Sequence, residues 1–241
     1  MGVRDMDSRW DTLTVDDSEM RCFVAIPDAV PAPAVVVAQH AGGVDGFIRE
    51  MTRRFAGEGF VAIAPELYHR DTSASPQSMD DAMTMMGRLR DPNIVADCTA
   101  AIAHLKTLPQ VRADRIGVTG FCMGGRVAYL MATRAPELKA SVVFWGGSIM
   151  RAWGDGPTPF DETDKINCPM LGIFGEDDGN PNPADVAKID GELTRLGKAH
   201  EFHSYPGAGH AFMNEGRPSY REEASRDAWA KAIAFVEEHL S

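Results

Sequence analysis

The chain has 241 residues, 44% of them hydrophobic, and a formal net charge of −11 at pH 7. That length and apolar content are enough to bury a sizeable core in a single domain. An acidic balance of this size repels phosphate backbones and anionic lipid surfaces, so neither nucleic acid nor membrane is expected as a partner.

Short runs rich in β-branched and aromatic residues read as strands, in chain order at 20–26, 34–38, 60–64, 116–119, 140–145, 170–174 and 201–205. The middle runs are continuously apolar, as in Val35-Val36-Val37 and Val142-Val143-Phe144-Trp145. Such runs suit parallel strands covered on both faces. Helical spacing appears between them. Ile48, Met51 and Phe55 share a face over 48–58, and Ile94, Cys98, Ala101, Ile102 and Leu105 share one over 93–106. Val186, Ile189 and Leu193 do so over 183–196, and Trp229, Ile233 and Val236 over 219–239. Alternating strands and helices predict an α/β fold with a mostly parallel central sheet and helices on both faces. Two stretches read as looser connections, 70–77 running into a Met-rich segment at 79–86, and 150–164. Either is placed to line a cleft.

The four cysteines, Cys22, Cys98, Cys122 and Cys168, are spaced widely and irregularly, with no Cys-x-x-Cys pair. This gives no support to a zinc site or a redox pair, and reduced thiols in a cytoplasmic protein are expected. Residues 1–7 are acidic where a signal peptide has an apolar run, and no apolar stretch is long enough to cross a bilayer. A monomer is the default expectation.

Cys122 stands apart from the other three. It occupies the centre of Gly120-Phe121-Cys122-Met123-Gly124, after the strand at 116–119 and before a helical segment at 125–132. A sharp strand-to-helix turn presents one side chain above the sheet and leaves no room for Cβ atoms on its flanks, hence the glycines. The helix N-terminus that follows favours a thiolate.

A thiol nucleophile needs a base, and the base needs an orienting acid. Of seven histidines, His210 fits best, in the Gly-rich turn Pro206-Gly207-Ala208-Gly209-His210 that follows the last strand. The acid should end the strand at 170–174, where Glu176, Asp177 and Asp178 compete, with Asp178 preferred. An oxyanion hole needs two backbone donors. Met123 N–H and Ala41 N–H are the candidates, the latter in the loop Gln39-His40-Ala41-Gly42-Gly43.

Together, Gly-Phe-Cys-Met-Gly-Gly around Cys122, Pro65-Glu66-Leu67-Tyr68, the 175–183 loop and Pro-Gly-Ala-Gly-His-Ala-Phe around His210 resemble the dienelactone hydrolase family. The resemblance runs from about residue 20 to residue 240. It implies an α/β-hydrolase fold and a triad of Cys122, Asp178 and His210, with Ala41 and Met123 as oxyanion donors and no metal or organic cofactor. The implied partner is a small ester or lactone, cleaved through an acyl-thioester. The alternatives are a broad carboxylesterase or thioesterase on the same scaffold, or a non-catalytic binding protein that kept the fold, which the presence of all three triad residues disfavours. Three positions depart from the family pattern. His40 stands where the family has a thiol-facing Glu, which makes it a thiol-tuning candidate. The segment 75–86 has no Arg, and Asn214 occupies the place of a second substrate-holding Arg. Arg49, Arg70, Arg88 and Arg217 are the possible substitutes, and the Met-rich segment suggests a softer, more apolar cleft wall.

Overall fold

The computed structural model describes residues 7–71 and 75–241. The N-terminal residues 1–6, on which the leader-peptide reading rests, and residues 72–74 of the looser stretch lie outside the described residues.

One sheet of eight strands organises the chain, in the order β1-β2-β4-β3-β5-β6-β7-β8. The strands are β1 Asp7–Val15, β2 Ser18–Ile26, β3 Ala32–Ala38, β4 Val61–Pro65, β5 Val111–Phe121, β6 Ser141–Phe144, β7 Met170–Gly175 and β8 His200–Tyr205. β1 and β2 pair antiparallel, and β2 meets β4 antiparallel; every pairing from β4 through β3 to β8 is parallel. The helices are α1 Gly46–Gly57, α2 Met79–Arg88, α3 Asp91–Thr107, α4 Met123–Arg134, α5 Pro183–Arg195 and α6 Glu222–Leu240.

The alternation of side chains along the strands explains the two cores. On β3, Ala34, Val36 and Ala38 pack with Ile94 and Ile102 of α3, Val127 of α4 and Ile189 of α5. Val35 and Val37 pack on the opposite face with Ile48 and Phe55 of α1 and Trp229 and Val236 of α6. The helical stripes read from the sequence are therefore the buried faces, and helices cover both sides of the sheet. This is the α/β architecture expected. Among the described residues no helix is long and apolar enough to cross a membrane.

Two elements differ from the sequence reading. Strand β1 carries no apolar run, and all its residues but Val15 are half-buried or exposed. It is held by antiparallel pairing to β2 across Asp16 and Asp17, both at positive φ, as a tight hairpin turn requires. The Met-rich segment, to which the sequence reading assigned no element, is helix α2. Ser78 caps it by accepting from Asp81 N–H, and Asp80 and Asp81 sit in its first turn, where the helix dipole favours acids. The 150–164 stretch is mostly irregular and ends in a short 3-10 helix, Phe160–Lys165.

Candidate active site

The three candidate residues sit where parallel strands end. Cys122 follows β5, Asp178 lies just past β7 and His210 lies beyond β8. In an open α/β sheet this carboxyl edge is where ligands bind. Trp145, at the end of β6 between them, sets its ring beside His210 at a centroid distance of 6.5 Å.

The turn at Cys122 is as tight as its glycines suggest. Cys122 has φ 58° and ψ −117°, a conformation that costs a side-chain-bearing residue on the order of 1–3 kcal/mol. A Cβ on Gly120 would collide with the Gly124 carbonyl, and one on Gly124 with the Ala38 carbonyl. The chain can therefore double back from β5 into α4 only with glycine at both places. Of six non-glycine residues at positive φ among those described, Cys122, Trp145, Ser148 and Ala211 all line one cavity; the other two are the hairpin residues Asp16 and Asp17. Backbone strain is concentrated at the cleft.

His210 Nδ1 lies 2.8 Å from Asp178 Oδ2. Asp178 is almost fully buried, and its other oxygen accepts from Asn180 N–H at 2.8 Å. The Cys122 thiol and the same imidazole line one cavity. Burial works to lower the His210 pKa, but the hydrogen bond to Asp178 and the neighbouring Cys122 outweigh it and carry it up to about 10. The arrangement favours the imidazolium form of His210. Glu176 and Asp177, the competing acids, are exposed and touch neither ring. The other three cysteines are buried, and burial pushes their thiols up, Cys22 to about 12 and Cys168 to about 11. Cys122 alone is partly open to the cleft.

The two amides nominated for an oxyanion hole have no acceptor among the described residues. Met123 begins α4, and Ala41 stands in the loop after β3. Tyr68 braces both residues. Its hydroxyl donates to Ala41 O at 2.9 Å and lies 3.6 Å from Met123 Sδ. Burial, and then the charge at Cys122, push the phenol above its usual range, so it stays a donor. The sequence singled out Tyr68 as part of a motif but not its role.

His40 lies in the same cavity. Its Nε2 is 2.9 Å from Asp45 Oδ2, an oblique approach rather than an aligned hydrogen bond, and its ring packs on Phe47. Asp45 also caps α1 by accepting from Ile48 N–H. Burial raises the Asp45 pKa, but His40 and the backbone donors prevail and hold it below the usual carboxylate value. Gly42 makes room for this pair, since a Cβ there would lie 2.8 Å from His40 Nε2.

The four arginines proposed as substitutes separate clearly. Arg70 is tied to Asp97 and Asp16, Arg88 to Asp71, and Arg49 to the Asp45 carbonyl. Arg217 alone lines the cleft, exposed at its rim. A further arginine, invisible to motif reading, shapes the site. Arg126, fully buried in the first turn of α4, forks onto Asp91 at 2.6 and 2.9 Å and donates to the Ser148 and Arg151 carbonyls. Its guanidinium stacks 4.0 Å from the Trp153 ring centroid. The loop that brings Trp153 into the cleft is thus pinned to the helix that begins at the thiol.

Residues 20–240 match the model of the dienelactone hydrolase family. A protein of Synechocystis sp. named "Putative carboxymethylenebutenolidase" is 35% identical over 236 residues, covering 95% of this chain and 96% of its own. A Bradyrhizobium sp. protein named "Probable 2-oxo-3-(5-oxofuran-2-ylidene)propanoate lactonase" is 30% identical, covering 86% of this chain and 84% of its own. Among solved structures, a "Putative Dienelactone Hydrolase" from Klebsiella pneumoniae superposes with a TM-score of 0.90 at 29% identity, over 98% of this chain and all of that one. With a match over nearly its whole length, and relatives of the same extent, the chain belongs to the dienelactone hydrolase family.

Proposed function

We propose that the protein hydrolyses a small ester or lactone through Cys122, His210 and Asp178. The observation that carries this reading is the His210 ring, held by Asp178 at 2.8 Å in the cavity that Cys122 also lines. The Cys122 thiolate attacks the carbonyl carbon, and the carbonyl electrons move to the oxygen. The Ala41 and Met123 amides, which have no acceptor among the described residues, receive that oxyanion. The tetrahedral intermediate collapses as the His210 imidazolium protonates the leaving alkoxide; in a lactone this opens the ring. Water then attacks the acyl-thioester. His210 takes the water proton, the thiolate leaves, and the acid is released. Asp178 holds the imidazole in one tautomer and balances its charge.

His40 enters as a thiol-tuning group. It faces the same cleft as Cys122, with Asp45 Oδ2 2.9 Å from its Nε2. The same machinery would serve a carboxylesterase or thioesterase, and a panel of lactones, short esters and thioesters separates these. The primary test is Cys122→Ala. Turnover of an activated ester such as p-nitrophenyl acetate should fall by at least about 10^4-fold. Turnover retained within tenfold of the parent would refute the scheme.

A further inference from the structure

The mechanism above uses one wall of the cleft. The wall that completes it is α2, and its cleft side is a stripe. Met79, Ala82, Met83 and Met86 all line the cavity that holds Cys122, a volume of about 670 Å³. Their spacing, i, i+3, i+4 and i+7, places them on one face of the helix. A stripe of this kind ordinarily packs into a core. Here Met79 is 53% and Met83 51% exposed. Among the described residues the only other large apolar side chain so exposed is Val30. Phe47 and Trp153 border the same space. Methionine is unbranched and polarisable, so such a wall moulds itself to an apolar group without demanding one shape.

The charges around the stripe point the same way. The carboxylates of Asp45 and Asp178 line the cavity, and Asp80 and Asp81 stand in the first turn of α2. Against them, Arg217 is the one Lys or Arg among the described lining residues, and it sits at the exposed rim. A carboxylate carried along the stripe would lose water against apolar side chains, with Arg217 at the exposed rim as the one Lys or Arg of the described lining. An alkyl or aryl group would cover the two exposed methionines and leave water itself.

We propose that the α2 stripe is the subsite for the apolar part of an uncharged ester or lactone. The enzyme then selects neutral substrates bearing several apolar carbons over substrates that carry a second carboxylate. This rests on the Cys122 reading, and the experiment separates the two.

Three acyl donors decide it: p-nitrophenyl acetate, p-nitrophenyl hexanoate, and the mono-p-nitrophenyl ester of adipic acid, which keeps the six-carbon chain but ends in a carboxylate. A second series, ethyl acetate against hexyl acetate, places the chain on the alcohol side. In at least one series kcat/KM rises about tenfold or more with the longer neutral chain, and the adipate ester falls below the hexanoate by a similar factor. In Met79→Gln/Met83→Gln the long-to-short ratio drops about tenfold, through KM. The melting temperature is retained, because both side chains are half exposed. The subsite is refuted if the adipate ester equals or exceeds the hexanoate, if neither series shows a chain-length preference, or if the ratios survive in a folded double variant. It is equally refuted if that variant loses only sedimentation with phosphatidylcholine vesicles, which would assign the stripe to a lipid surface. Cys122→Ala is run alongside. Its retention of acetate turnover would defeat the catalytic reading; its inactivity beside a wild type blind to chain length would defeat the subsite alone.

Discussion

On one side of the cleft, Cys122, Asp178 and His210 hang from the ends of parallel strands, with strained backbone at Cys122 and next to His210. On the other side stands α2, a ten-residue helix with two half-exposed methionines turned toward the same cavity. The first wall is held in place by its backbone. Gly120 and Gly124 stand where a Cβ would collide with backbone, and buried Asp178 is hydrogen-bonded to the His210 ring. The second wall is adaptable, made of side chains with several rotamers and few polar atoms. The contrast suits an enzyme whose chemistry needs fixed distances while its substrate's outer part is accommodated rather than gripped. Arg126 links this picture together, fixing the loop of Trp153 to the helix that follows the thiol.

Perturbing the rigid wall should cost most. Asp178→Asn keeps a side chain of the same size but removes the charge and the tautomer control. We expect kcat to fall by about 10^3-fold or more; a loss under tenfold would show that another acid orients His210. The same variant has a stability signature. Because the folded protein raises the His210 pKa from 6.5 to about 10, the stability gained from that protonated ring is fully present below about pH 6.5. It is lost as pH rises through about 10. The melting temperature of wild type should therefore exceed that of Asp178→Asn most near pH 6, and the gap should narrow by pH 10.5. A gap that widens over that range would mean that the ring is not held as imidazolium.

Smaller effects are expected one step from the chemistry. Tyr68→Phe removes the hydroxyl that holds the Ala41 carbonyl, so that the Ala41 amide loses its aim at the oxyanion. We expect about a tenfold drop in kcat with little change in KM, since the lost interaction is felt in the transition state. A rise in KM alone would place Tyr68 in substrate binding. The least effect belongs to His40→Ala, about threefold on the rate of Cys122 alkylation by iodoacetamide, with a shift in its pH dependence. If both are unchanged, His40 has no part in tuning the thiol and serves only to hold Asp45.

How readily these two walls could be read from the sequence follows from the same difference. The rigid wall announces itself because fixed geometry demands particular residues: glycine either side of Cys122, a Gly-rich turn before His210, an acid after an apolar strand. Residue type alone separates Glu176, Asp177 and Asp178 least, and the sequence preference for Asp178 meets a physical distinction in burial, since it is buried and its two neighbours are exposed. The adaptable wall gave only a composition. Met79, Met83 and Met86 at helical spacing have the same pattern whether they face a core or a cavity, and the looser stretch 70–77 before them hid where the helix begins, at the cap Ser78. Strand β1 escaped for a related reason: an edge strand half in solvent needs no apolar run. Arg126 and Asp91 meet across 35 residues of chain, so no local pattern joins them.

The central claim is that Cys122 carries the acyl group in turnover. The most direct measurement is intact-protein and peptide mass spectrometry of the enzyme quenched in acid within the first turnover of p-nitrophenyl hexanoate. The account predicts a mass increase of one hexanoyl group, on the peptide containing Cys122, labile to hydroxylamine as a thioester is, and missing from Cys122→Ala. An adduct on another residue that forms and decays at the turnover rate, with Cys122 unmodified, would contradict it.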